Sequence, residues 1–498
     1  MAAAALKPTR SQRFSEALDA DLTRPRAFAL LAILYLLLRI PFLTYGYGTD
    51  PDSWRVALTD HYLLRHGLYF PSRLPGYPLH EFAVAPLVPL GPVATNLETA
   101  LAALVGVYLF GRIVNHLKLP QPALLTVGFA FTPLLVINSV STMDYMWTLT
   151  CILAAYYSAL RGWILWAGVA VGTAIGFRLP AAIIWLPIAY LLIRERKQSG
   201  LIPLSLAAVG VALIARAPAV AVYGPRVFRF YDASVNYQSV ARLLAKEGLG
   251  VIGAAAVLIG SACSLRRFKA LPGDLRDDPQ VGAWVIMALV TLLVFFRLPH
   301  KVGYLIPIFP FGYFLMARYF SRSMVAAAVV AILCSGLIDV TIHEGPLNVA
   351  SLRHAGIGKG LLLSNVETMR NQSDFVREVL AAQVPDHSIV MVGFVYPQLA
   401  VRTWNNFDVG ILQKDYDAIS MLSDRGETVD TNRDIHYVWL LTFDQFMSLR
   451  SRGYNFFLVP DAAGGTAALY KYRPTLLGAT YLRLDRAVPS LGKQPTGR

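Results

Sequence analysis

The sequence predicts an α-helical polytopic membrane protein that carries a small α/β domain at its C-terminal end. Of its 498 residues, 55% are hydrophobic and 15% charged. The mean hydropathy of +0.48 lies well above that of a soluble globular chain. Apolar segments long enough to cross about 30 Å of hydrocarbon as a helix recur through the first two thirds of the chain. Residues 343–498 differ from them, with dense charge and mixed periodicity.

The net charge is +14. Its Lys and Arg residues sit in short clusters at the ends of apolar segments rather than in one basic domain, so topology accounts for them and no nucleic-acid partner is expected. Cys151, Cys263 and Cys334 all fall inside apolar segments, which leaves the redox compartment open. The first 26 residues mix Lys7, Arg10, Arg13, Arg24 and Arg26 with acidic residues. They lack a short apolar core followed by a small-residue cleavage site and read as a cytoplasmic tail.

About eleven spans are expected: 26–44, 94–113, 121–138, 146–160, 162–177, 179–193, 201–222, 248–265, 281–297, 303–320 and 323–342. With the N-terminus inside, the inner turns carry Arg112 and Lys118, Arg161, Arg194 with Arg196 and Lys197, Arg266 with Arg267 and Lys269, and Arg318 with Arg322. Each is basic, as the positive-inside rule requires. The outer side then receives 45–93, the turns at Asp144, Arg178 and His300, the segment 223–247, and everything after 343. The expected setting is a bacterial inner membrane with an extracytoplasmic C-terminus.

The division is therefore 1–342, a membrane domain, and 343–498, an extracytoplasmic α/β domain. In the latter, Ser373 starts the amphipathic run DFVREVLAAQV, SIVMVGF and HYVWLL read as strands, a capping box at Thr442 and Gln445 opens FDQFMSLRSRG, and YNFFLVP is a further apolar run. Alternation of strand and helix points to α/β architecture. This domain shows no GxGxxG or phosphate loop, so no nucleotide is assigned to it.

The first outer loop, GYGTDPDSWRVALTDHYLLRHGLYFPSRLPGYPLHEF, holds Asp50, Asp52, Asp60 and Glu81. Trp54, Leu58 and Tyr62 share one helical face, which suits a helix lying in the membrane interface above the aspartates. A carboxylate there can accept a proton from an attacking hydroxyl. Capping of the helix by Asp-Pro-Asp-Ser explains the same residues structurally. Asp144, where an outer turn enters a span, is a second acidic candidate, and a charge at a helix N-terminus is its simpler explanation.

Outer-side cations form the complementary set: Arg55, Arg73, Arg178, Arg226, Arg229, Arg297, His300 and Lys301. A phosphate at the outer leaflet accounts for them through charge-assisted hydrogen bonds. Snorkelling to lipid headgroups is the alternative for each taken singly. No HxxxH, HExxH or CxxC spacing is present, so no cofactor is required, although Asp50, Asp52 and Asp144 leave a divalent cation open.

These features resemble the GT-C superfamily of membrane glycosyltransferases. DPDSWR is similar to the HPDE motif of the mannosyltransferases that build lipid-linked oligosaccharides and GPI anchors, which places Asp52 on the motif's aspartate, with Asp50 at its His and Ser53 at its Glu. FRLPHKVGYLIPIFPF resembles their HKE-R-F-x-x-P-x-x-P segment through His300, Lys301, Pro307 and Pro310, with Val302 and Gly303 at its Glu and Arg. Bacterial lipid-sugar transferases related to protein mannosyltransferases vary more at these positions.

The resemblance implies inverting transfer of a monosaccharide from a polyprenyl-phosphate carrier to a lipid, glycan or protein acceptor on the outer side. Asp52 would be the base, helped by Asp50 and Asp144. Lys301, His300, Arg178 and Arg55 would hold the donor phosphate, and membrane lipids would surround the spans. Two alternatives share part of this pattern: a ligase moving a whole glycan from a lipid diphosphate, and a transporter or flippase. The latter usually places its ionisable groups near mid-membrane in repeated halves.

Overall fold

The computed structural model describes residues 16–224, 240, 243–297, 299, 301–342, 355–381, 384–411, 426–439, 441, 443–458, 475–477 and 481–483. Each expected span holds one helix or a consecutive pair. Pro92–His116, 198–223 and Pro279–Arg297 are long and apolar enough to cross a membrane on their own. Pro122–Phe131 and Pro133–Ser139 are apolar together and bent by 55° at their junction, the form of a broken span or of a re-entrant loop. Pro25–Leu37, Ile164–Phe177, Leu179–Arg194, Val251–Cys263 and Arg322–Cys334 are apolar but shorter. At 1.5 Å per residue, 13 residues reach only about 20 Å, so such segments cover part of the hydrocarbon.

The break at Pro133 has a physical cause. Proline cannot donate to the preceding turn, and the surrounding carbonyls find side-chain donors instead: Thr132 Oγ1 donates to Gly128 O at 2.8 Å and the Arg39 guanidinium to Ala130 O at 2.9 Å. Arg39 is fully buried in the first span and also donates to Ser139 Oγ at 2.7 Å, which spares its charge from bare hydrocarbon. Leu30, Leu206, Leu213, Ile214, Leu258 and Leu293 stay exposed on the outer faces of their helices, as lipid-facing residues should.

The expected last span, 323–342, ends early. Its helix stops at Cys334, and Ile338–Ile342 is a strand, β1, antiparallel to β2 at Ala355–Lys359. Asp339 explains the change of structure: its carboxylate accepts from Val251 N and Ile252 N at 3.0 and 3.1 Å, capping the neighbouring helix from outside.

The C-terminal region has helices Leu361–Ala381, Tyr396–Thr403 and Phe443–Ser451. Its strands are β3 Ser388–Met391, β4 Asp408–Ile411, β5 Gly426–Asp430, β6 Ile435–Val438, β7 Asn455–Leu458, β8 Thr475–Leu477 and β9 Tyr481–Arg483. Among the described residues they form one sheet in the order β4-β5-β6-β3-β7-β9-β8, with β3 parallel to both β6 and β7 and the other pairs antiparallel. Apolar residues cover both faces: Val390 with Tyr396 and Leu399 on one, Ile389 and Met391 with Phe446 on the other. The first helix begins at Leu361, not at Ser373, which lies inside it. The polar stretch before Ser373 hides a helical face on which Met369, Val376 and Val379 are buried. Thr442, the expected cap, lies outside the described residues.

The helix expected to lie in the membrane interface, Pro51–His66, has different neighbours. Leu58 and Tyr62 belong to the same apolar core as Val376, Val390, Leu399 and Trp404, so its apolar face packs into the C-terminal sheet-and-helix layer rather than against lipid. His61 stacks on Trp404 at 5.2 Å, and Gln372 Nε2 donates to Thr49 O at 3.1 Å.

The residues of the inner turns meet at the far end. Arg322 pairs with Asp19 at 2.7 Å, Gln121 N donates to Asp19, and Arg112 donates to Tyr157 OH. The alternation read from the basic residues thus sorts the turns into two ends. A tag at the N-terminus and one near Arg267 should report one side of the membrane, and a tag at Arg433 the other. A shared side for all three would break the span order. Leu58→Ala should cost about 2–5 kcal/mol, read as earlier thermal unfolding of the detergent-purified protein.

Candidate active site

The candidate site lies where the first outer loop meets the starts of two spans. Its entry is glycine-dependent: Gly46 and Gly48 have φ of +109° and +148°, and a Cβ on Gly48 would stand 2.2 Å from Ser141 Oγ. This close approach lets Thr142 N donate to Tyr47 O at 2.8 Å and Trp54 Nε1 to Gly48 O at 2.8 Å. The loop then turns into Pro51–His66 with Asp50 as its cap, accepting from Asp52 N at 3.0 Å, and proline in the first turn.

Asp50 does more than cap. Lys301 Nζ, 251 residues away, lies 2.8 Å from its Oδ2 and also pairs with Asp52 Oδ2. Asp52 further meets Arg73 Nε at 3.3 Å and Arg55 at 3.4 Å. Burial alone would raise the Asp52 carboxyl, but Lys301, Arg73 and Arg55 outweigh it and hold it well below the usual carboxylate range. Burial likewise pulls on Lys301, and the two aspartates hold its ammonium charged well above the ordinary value.

Asp144 is the hub of a second group. It stands at the start of Tyr145–Leu160, yet its side chain makes no capping bond. One oxygen accepts from Arg73 at 2.6 Å and the other from Arg178 at 2.8 Å, with Asp144 0% exposed. Arg73 therefore links the two groups. Arg178 lies 4.0 Å over the Tyr145 ring, and Arg73 lies 3.8 Å over Tyr77, so aromatic faces cover the guanidinium planes.

Arg178 also lines a narrow cleft between spans whose other walls include Thr148, Ile183, Val294, Ile306 and Pro307. The loop that carries Arg73 is tied down from two sides. Glu81 accepts from Tyr69 OH and from Ser72 N at 2.8 Å, and Arg216, from inside 201–223, donates to Gly76 O and Pro75 O at 2.6 and 2.9 Å.

The sequence-derived residues Asp50, Asp52, Asp144, Lys301, Arg178 and Arg55 thus come together. His300, Arg226 and Arg229 lie outside the described residues. Arg73, the link, was visible only as one outer cation among eight, since nothing in its spacing pairs it with Asp144. Asp60 and His80 carried no sequence signal of their situation. Both Asp60 oxygens and both His80 ring nitrogens are buried with no hydrogen-bond partner among the described residues. Burial, with Glu81 and Glu98 nearby, raises the Asp60 carboxyl well above its ordinary value, and burial lowers His80 to about 4. Among the described residues no cluster of three or more His, Cys, Asp or Glu is arranged to hold a metal ion.

Two solved structures share this architecture. ArnT from Cupriavidus metallidurans bound to undecaprenyl phosphate superposes with a TM-score of 0.54, covering 92% of this chain and 98% of that one at 14% identity. The chain shares the fold of that structure. Its apo-state counterpart from the same organism gives the same TM-score at 15% identity, covering 92% and 96% of the two chains. No sequence family and no curated protein matches the chain. The likeness of fold covers 92% of the chain, so it runs through the membrane part and into the C-terminal region alike.

Two stability predictions follow from the buried charges. Asp144→Asn leaves Arg73 and Arg178 without their shared anion, and breaking such a buried pair costs about 3–5 kcal/mol, so the yield of folded protein and its apparent Tm should both fall. Asp60 acts in the opposite sense. Its raised folded-state value means that its contribution is full below about pH 4, the unfolded value, and is lost as pH rises. Asp60→Asn should therefore stabilise the protein at neutral pH and flatten the decline from pH 5 to 8, measured by thermal unfolding across that range. An unchanged slope would clear Asp60 of that cost.

Proposed function

We propose that the chain transfers a sugar from a polyprenyl-phosphate carrier to an acceptor hydroxyl, on the side of the membrane that bears the C-terminal domain. The observation that carries this reading is the pairing of Asp50 and Asp52 with Lys301 at one end of a GT-C fold. Lys301 is the accessible cation of the set, its side chain 32% exposed against 7% for Arg73 and Arg178.

A donor phosphate would take up the Lys301 ammonium, with Arg178 at the mouth of the apolar cleft. The first isoprene units would enter that cleft. Arg73 and Arg178 are set by Asp144, which acts as a positioning residue and meets no substrate. This agrees with the cations' depth and aromatic cover, and preset donors of this kind stabilise charge developing on a leaving phosphate.

In the resting site Asp52 is a weak base because three cations surround it. Drawing Lys301 onto the phosphate removes the closest of them, so the carboxylate gains basicity when donor is bound. The acceptor oxygen then attacks the sugar's anomeric carbon from the face opposite the phosphate. Asp52 takes the hydroxyl proton, the carbon–oxygen bond to phosphate breaks, and the lipid phosphate leaves with its electron pair, giving inversion. Asp50 holds Lys301 and the start of the helix.

A panel of labelled polyprenyl-phosphate sugars supplied to the purified protein tests the class: release of polyprenyl phosphate with any member supports it, and none with all of them refutes it. Asp52→Asn keeps the size of the side chain but cannot take the proton, so transfer should fall on the order of a hundredfold or more while undecaprenyl phosphate binding stays nearly intact. Lys301→Ala should weaken that binding roughly ten- to a hundredfold, the worth of one charge-assisted contact. By removing a cation it should also move the acid limb of residual activity to higher pH. Equal binding and an unmoved limb would return Lys301 to a structural role.

A further inference from the structure

At the end of the molecule opposite the candidate active site, a cavity of about 420 Å³ lies among the ends of three apolar helices. Pro25–Leu37 begins there, and Pro92–His116 and Tyr145–Leu160 finish there. Its wall carries Arg24, Arg112, Arg161 and His116 against one acid, Asp21. That acid is already engaged, since its Oδ1 accepts from Thr23 N, Thr23 Oγ1 and Asn115 Nδ2 at 2.8, 2.6 and 2.7 Å. Arg112 is half-buried and held in place, donating to Tyr108 OH at 3.0 Å and Tyr157 OH at 3.3 Å. Other cations at this end meet carboxylates: Arg322 pairs with Asp19, Arg318 with Asp274 and Lys197 with Glu195. Among the described residues no such ion pair joins Arg24, Arg112 or Arg161.

An apolar groove of about 610 Å³ adjoins this cavity. It runs between Tyr145–Leu160 and Ile164–Phe177, with Cys151, Ala154 and Ser158 on one wall and Trp163, Trp166 and Ala170 on the other. Steps of three and four residues keep each wall on one helix face. Trp163 and Trp166 are 49% and 66% exposed, so the groove opens outward, towards lipid. Trp163 joins the two cavities. Its ring meets Tyr157 edge-on at 6.1 Å and the Arg161 guanidinium lies 5.4 Å over it, and Tyr157 and Arg161 both line the basic cavity. From Ser158 to Cys151 the groove descends about 10 Å towards mid-membrane.

A basic cavity at the span ends, with an apolar groove descending from it, has the outline of a phospholipid. We infer that it binds one anionic phospholipid of the leaflet opposite the candidate active site. The phosphate takes the guanidiniums of Arg24, Arg112 and Arg161, which meet its oxygens in a fixed fork, and one acyl chain lies in the groove along Trp166. The carbonyl ends of two helices at the cavity disfavour an anion. Arg112 and Arg161 stand at those ends and offset them. The excess of cations selects an anionic headgroup over a zwitterionic one, whose own ammonium they repel. A soluble anion would leave the groove uncovered, and residues 1–15, with Lys7, Arg10 and Arg13 and no acidic residue, have the wrong charge to fill the cavity. The lipid thus ties the start of the first span to the ends of two others.

The test uses the full chain purified in detergent, with dioleoyl phosphatidylglycerol as the anionic probe and dioleoyl phosphatidylcholine as the chain-matched control. Native mass spectrometry counts bound lipid, and thermal unfolding reads its effect. One phosphatidylglycerol should bind saturably and raise the apparent Tm where phosphatidylcholine does neither. Arg24→Gln combined with Arg161→Gln, both exposed positions, should weaken that binding roughly 25-fold, about fivefold for each basic residue at a membrane surface. Arg196→Gln combined with Arg266→Gln makes the same change of charge on inner turns outside the cavity and should bind as the unaltered protein does. Phosphatidylglycerol with brominated chains should quench tryptophan fluorescence more than brominated phosphatidylcholine, and that excess should vanish in Trp163→Phe combined with Trp166→Phe.

Equal binding of the two lipids overturns the inference on the unaltered protein alone, whatever the variants do. Equal losses in the two arginine pairs overturn it in favour of a diffuse attraction between a basic face and anionic lipid. Saturable binding of inorganic phosphate with the same rise in Tm makes this a soluble-anion site, and excess quenching that survives the tryptophan changes removes the acyl chain from the groove. Either result sinks the lipid reading.

Discussion

The carboxylate of Asp144 is the constraint on which the rest of the site depends. A bare carboxylate at that depth is untenable, and two arginines from distant parts of the chain make it tenable. One, Arg178, stands at the junction of two spans, and the other, Arg73, comes from a loop that Arg216 also ties to a span. Such a pair adds little net stability compared with apolar packing, but it is costly to break and therefore fixes one arrangement. Arg73 passes that arrangement on to Asp52, and Asp52 to Lys301. The order of the site thus runs outward from a buried anion to a partly exposed cation.

The loop's own bonds carry the same logic. Glu81 fixes it from within and Arg216 from a span, so the backbone around 72–77 has few unmet polar groups despite its irregular path. Irregular backbone survives beside a membrane only where protein satisfies it. Among the described residues, Asp60 and His80 are buried nearby with no hydrogen-bond partner, and they mark where the fold tolerates a cost beside the candidate site.

Much of this was legible in the sequence. Hydropathy and the basic turns gave the spans and their alternation, and the same alternation put Asp50, Asp144, Arg178 and Lys301 on one face before any distance was known. Two kinds of information were missing. Pairings such as Lys301 with Asp50, or Arg73 with Asp144, join residues far apart in the chain, and no periodicity encodes them. The amphipathic face of Pro51–His66 specified that something apolar must cover it, but Leu58 and Tyr62 say the same whether the cover is lipid or a β-sheet. The early end of the last helix escaped for a related reason: Ile338–Ile342 is as apolar as the span before it, and only the capping role of Asp339 distinguishes the two.

The shared core of that helix and the C-terminal sheet sets an order of assembly. Leu58 and Tyr62 leave the ribosome roughly 400 residues before the β7 strand that completes their packing, an interval of roughly 20 to 80 s at ordinary rates of synthesis. Until then Phe70 stands beside Tyr62 but the C-terminal cover is missing, and the membrane surface is the nearest refuge for the rest of such a face. The interfacial helix and the domain-packed helix are then two stages in the life of one segment. On that order, the segment would meet the bilayer first and the C-terminal domain afterwards.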